Sequence, residues 1–93
     1  MKFNEEYVNE LLSFPAELEM DAKIEMFVKT MNEHKRSFAS FNAPFFTKIF
    51  FGYESDDKYL VKKVLQRLNK NGIYYGRSIV KKRGRHVKIQ KVI

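Results

Sequence analysis

The chain contains no cysteine. Disulfides, thiolate zinc sites and a cysteine nucleophile are therefore excluded, and a reducing compartment suits the composition. No apolar run approaches the length of about 18 residues that a membrane span requires. The opening residues, Met1-Lys2-Phe3-Asn4-Glu5-Glu6, lack the apolar stretch of a secretory leader, so a cytoplasmic protein is expected. The two histidines, His34 and His86, are far apart, and their spacing matches no metal site. Neither a Walker loop nor a nucleophile elbow is present. Glu54-Ser55-Asp56-Asp57-Lys58 brings carboxylates close to a lysine, as metal-dependent nucleases do, but a helix start accounts for them without chemistry. A binding protein is expected rather than an enzyme, with no cofactor and no metal.

The second scarcity is of acid in the last part of the chain. All eleven Asp and Glu lie in residues 1–57, which hold only six Lys and Arg. Residues 58–93 hold the other twelve bases and no acid. The overall charge of +7 thus conceals an acidic part and a strongly cationic one. A segment with that field attracts polyanions, and phosphate backbones are the commonest. At 93 residues the chain is expected to form a single domain with a small core. Hydrophobic residues at 44% and charged residues at 31% fit a folded chain.

Periodicity then assigns the elements. Asn4 can cap a first helix over about 5–13, with Glu5 and Glu6 favourable in its first turn and Tyr7, Val8, Leu11 and Leu12 at helical spacing. Pro15 suits the first position of a second helix over about 15–33. Met20, Ile24, Phe27 and Met31 form the apolar face of that helix, while Glu19–Lys23 and Glu25–Lys29 are supporting i,i+4 pairs. Residues 37–41 read equally as a short strand or as a loop pinned by Phe38 and Phe41. Asn42 caps a short helix over about 43–51, with Pro44 in its first turn and Gly52 ending it in the left-handed conformation.

Ser55 reads as the next cap, with Asp56 and Asp57 in the first turn of a helix over 56–71 that Gly72 closes. Leu60, Val61, Val64, Leu65 and Leu68 fill one arc of about 140° on it. After Gly72 the period shortens. Ile73 to Val80 is rich in β-formers, and Val87 and Ile89 alternate with polar residues. Lys81-Lys82-Arg83-Gly84-Arg85 joins the two arms as a basic hairpin tip, with Gly84 at the position needing positive φ. The buried face of the first arm is left open by the pattern. The expected fold is α+β, mostly helical, with about four helices and a C-terminal β-hairpin.

The stretch Val64-Leu65-Gln66-Arg67-Leu68-Asn69-Lys70-Asn71-Gly72-Ile73, followed by Tyr74 to Val80 and Arg85 to Ile93, resembles a winged helix-turn-helix DNA-binding domain. The resemblance covers residues 43–93. It implies a recognition helix at 56–71 and a wing at the hairpin. Residues 1–42 would then be an acidic helical part, acting as scaffold or as a dimerisation face. Phe45, Phe46, Phe50 and Phe51 are expected in the core, or, if exposed, on a protein-binding patch.

Charge and geometry supply the mechanism. An α-helix fits the major groove, where Gln can pair with adenine and Lys with guanine. The candidate contacts on the helix are Tyr59, Lys62, Lys63, Gln66, Arg67 and Lys70. Those on the hairpin are Arg77, Lys81, Lys82, Arg83, Arg85 and Lys88. Duplex DNA is the expected partner, and a transcription regulator or accessory factor the expected role. Two other classes stay open from sequence. One is an RNA-binding or ribosome-associated module, using basic hairpins and exposed tyrosines to stack on bases. The other is a small phage-like inhibitor or adaptor docking on an acidic protein surface.

Overall fold

Tyr7 and Leu11 stand one helical turn apart and are both buried, which seats the first helix, α1 (Glu5–Leu12), against α2 (Met20–Glu33). The computed structural model describes residues 5–92, and the cap expected of Asn4 lies outside them. After α2 come β1 (Phe38–Asn42), α3 (Ala43–Phe51), α4 (Lys58–Asn71), β2 (Tyr74–Lys81) and β3 (Gly84–Lys91). The fold is α+β. Among the described residues it comprises these four helices and one antiparallel three-stranded sheet, and from α2 onward the order of elements is winged-helix-like.

The sheet order is β1-β3-β2, so the last strand lies in the middle. β3 pairs with β2 from Tyr74↔Lys91 to Lys81↔Gly84 and with β1 from Phe38↔Gln90 to Asn42↔His86. Lys82 and Arg83 form the two-residue turn, and Gly84 follows at φ 116°, where a side chain would be strained. The ambiguous segment 37–41 thus forms a strand, shifted by one residue to Phe38–Asn42. It belongs to the acidic part of the sequence but completes the sheet of the basic part.

Three features differ from expectation. α2 begins at Met20 rather than at Pro15. Pro15 instead opens a turn in which the Leu18 N–H donates to its carbonyl, so the chain reverses before the helix starts. Lys23, expected in an exposed pair with Glu19, is only 6% exposed. Its Nζ donates to the Phe50 carbonyl at 2.9 Å, satisfying an orphan acceptor at the C-terminal end of α3. Third, α4 begins at Lys58, so Asp56 and Asp57 precede it. Asp57 is the cap, its Oδ1 accepting from the Tyr59 N–H, while Ser55 Oγ accepts from the Asp57 N–H one step earlier. The cap of α3 is as expected: Asn42 Oδ1 accepts from the Phe45 N–H at 2.9 Å. Gly52 and Gly72 end α3 and α4 in the left-handed region.

One face of the sheet, carrying Ala39, Phe41, Tyr74, Gly76, Val87 and Ile89, packs on the helices. Phe27 from α2 and Phe46 and Phe50 from α3 meet there with ring centroids 5.2–5.5 Å apart. Burying each such ring contributes about 2 kcal/mol. Of the phenylalanine cluster, Phe46 and Phe50 are therefore core, with Phe45 and Phe51 packed against it. Ile24, Phe27 and Met31 are likewise buried within the chain.

Gly76 permits the close seat of α4 on β2. A Cβ there would stand 2.6 Å from Leu65 Cδ2 and 2.7 Å from Ile89 Cδ1, both inside the core. The loop between α3 and α4 is held by Thr47, whose Oγ1 accepts from the Ser55 N–H and lies 3.1 Å from the Ser55 carbonyl. No helix among the described residues is long and apolar enough to cross a membrane.

Candidate nucleic-acid interface

Burying Val61, Val64, Leu65 and Leu68 turns the opposite side of α4 to solvent. Tyr59, Lys62, Lys63, Gln66, Arg67 and Lys70 are all exposed, as the spacing predicted. They do not form a single patch. The helix presents them to two different grooves, one against the hairpin and one against α2.

The groove between α4 and the hairpin has a volume of about 600 Å³. Tyr59, Lys62 and Gln66 line it from the helix, and Arg77 and Arg85 from the hairpin. Lys58, Asn69, Tyr75 and Ser78 complete the polar lining. Its four cations, Lys58, Lys62, Arg77 and Arg85, face no carboxylate in that lining. Arg85 is steadied by a hydrogen bond from Nη1 to Ser78 Oγ at 3.3 Å. Tyr59 is 69% exposed at the helix start, with Lys58 Nζ 5.3 Å from its ring centroid. The tip residues Lys81, Lys82 and Arg83 are exposed at the far end of the hairpin, about 10 Å along the strand from Ser78.

The groove between α4 and α2 has a different character. Asp21 and Glu25 line it together with Arg67 and Lys70. Arg67 Nη1 donates to Asp21 Oδ1 at 2.6 Å. Among the described residues from 58 onward, Arg67 is the one base with a carboxylate partner. Gln66 touches both grooves. Lys63 lines neither and stands on the crest of the helix.

Lys88 departs furthest from expectation. It lies in the central strand, in register with Arg77 and Ser40, on the sheet face turned away from the helices. Strand alternation fixes this, because the neighbouring Val87 and Ile89 are fully buried.

Sequence reasoning missed Lys58 and Tyr75. Lys58 sits four residues before Lys62 and so on the same side of the helix, but a helix start at 56 hides it in the capping turn. Tyr75 could not be assigned until the face of β2 was known. Tyr74 turns inward at 1% exposure and Tyr75 outward at 53%. His34, the one histidine outside the hairpin, pairs through Nε2 with Glu10 Oε2 at 2.7 Å and ties α1 to the end of α2.

Comparison of the chain with protein-family models, with curated proteins and with solved structures found no match.

Proposed function

We propose that the protein is a DNA-binding module, a transcription regulator or accessory factor working in the cytoplasm, that holds duplex DNA between α4 and the β2–β3 hairpin. The observation that carries this reading is the carboxylate-free groove where helix and hairpin meet, lined by Lys58, Lys62, Arg77 and Arg85. α4 supplies 14 residues, about 21 Å of helix, with its buried side on the core and its polar side free. A helix of that width enters the major groove of B-DNA. Gln66, near the middle of the exposed side, is placed to read a base edge there. Lys81, Lys82 and Arg83 on the exposed tip would follow the backbone as a wing does. The winged-helix-like order of elements agrees with that division of labour. The chemistry needed is binding alone, so the module is not assigned a catalytic step.

The test is a titration of mixed-sequence duplex DNA at several salt concentrations. Each phosphate contacted releases counterions, so log K should fall with a slope of about −0.9 per contact against log salt. With the groove and tip cations engaged, affinity should drop steeply between low and physiological salt. Absence of binding at low salt, or binding indifferent to salt, would overturn the reading.

A further inference from the structure

The sheet face turned away from the helices is open to solvent, and its part on β1 and β3 lies outside the duplex groove. Register places Phe38, Gln90 and Tyr75 side by side in one row across β1, β3 and β2. Ser40, Lys88 and Arg77 form the next row. Phe38 is 49% exposed and Tyr75 53%, so each offers a ring to solvent. Two strand spacings separate them by about 10 Å, with the Gln90 amide between. The three strands contain no Asp or Glu. Lys35 lies beside Phe38 in a small concavity at the edge of β1. A solvated sheet face is ordinarily polar. This one instead carries two flat aromatics in line, an amide between them and cations one row behind.

We propose that this face binds a single strand of DNA continuing from the duplex. One base stacks on Phe38 and another on Tyr75, Gln90 meets a base edge, and Arg77 and Lys88 take the phosphates. Aromatic rings accept any base, because every base has a π-face, and cations beside them track the backbone. DNA is the occupant, rather than RNA or a protein, because the face runs directly into the candidate duplex groove. Tyr75 and Arg77 line that groove as well. The continuity rests on the duplex reading, and the protein then recognises a junction where paired DNA opens into one strand.

The test compares four fluorescent probes by anisotropy: a blunt duplex, the same duplex with a tail of about ten thymidines, the same duplex with a uridine RNA tail, and the thymidine strand alone. The DNA tail should tighten binding about tenfold over the blunt duplex. Phe38→Ala should abolish that gain without weakening blunt-duplex binding, since Phe38 lies outside the groove. Tyr75→Ala should abolish it too, and Phe38→Tyr should keep it. Circular dichroism on each variant confirms the fold. A tail without effect, a gain that survives both alanine variants, or a gain given by the RNA tail alone overturns the proposal. If the blunt duplex does not bind while the thymidine strand binds through Phe38 and Tyr75, the duplex reading fails and the sheet face stands.

Discussion

Asn69 joins the helix to the hairpin with one side chain. Its Nδ2 donates to the Gly76 carbonyl at 3.1 Å and its Oδ1 accepts from the Gly76 N–H at 2.7 Å. Gly76 lies in an edge strand, so these are backbone groups that no neighbouring strand satisfies. Asn69→Ala leaves both without a protein partner, and chemical denaturation should show a loss of about 1–3 kcal/mol. Tyr74 makes a second tie. Its hydroxyl donates to the Arg36 carbonyl at 2.7 Å, with the Asn32 amide oxygen at 3.1 Å. Burial raises its pKa above the ordinary value of 10.0. Folding therefore favours the protonated phenol. The stability this contributes is fully present below pH 10 and is lost as pH rises through the higher folded pKa. Melts between neutral pH and strong alkali should show wild type losing stability in that range, with Tyr74→Phe flatter there and somewhat less stable at neutral pH.

At the scale of the element, helix ends marked by a single cap or a left-handed glycine were legible in the sequence, while the starts of α2 and α4 were misplaced by a few residues. Asn42, Gly52 and Gly72 set the ends of α3 and of the C-terminal side of α4, because a cap or a left-handed residue acts on its own neighbours. The start of α2 was not legible. There Pro15 opens a turn closed by the Leu18 N–H, and local pattern alone does not separate that turn from a first helical turn. The identity of β1 was hidden for a different reason, since its partner is the last strand of the chain. For the candidate interface, the pattern gave the exposed side of α4 and the hairpin tip. It could not say that Arg67 and Lys70 turn toward α2 or that Lys88 faces away.

The helix and the hairpin are expected to fail differently when altered. Arg83→Ala combined with Arg85→Ala should weaken duplex binding about equally for all sequences and flatten the salt dependence. Gln66→Ala should lower discrimination between sequences more than total affinity. Competition titrations with two unrelated duplexes, repeated at two salt concentrations, separate the outcomes.

Across the whole molecule, the acidic part and the basic part share the sheet and the core, and their opposite charges pair in the groove between α2 and α4. There Asp21 takes up Arg67. Both side chains are largely exposed, so the pair adds little to stability, at most about 1 kcal/mol. Its larger effect would be on the field beside α4. Asp21→Asn should leave the unfolding midpoint nearly unchanged and tighten DNA binding at low salt, an effect that added salt removes. An unchanged affinity in that variant would place the contact surface entirely on the hairpin side of the helix.

The pairing of β1 with β3 limits how the chain can be shortened. A fragment starting at Ala43 keeps every cation from Lys58 onward but loses the strand that covers one side of β3. Along His86 to Gln90, the amide and carbonyl groups of alternate residues would then lie bare on a new rim, beside Val87 and Ile89 stripped of Ala39 and Phe41. Such a piece would tend to self-associate through that rim, and its stickiness toward nucleic acid would report clumping as much as recognition.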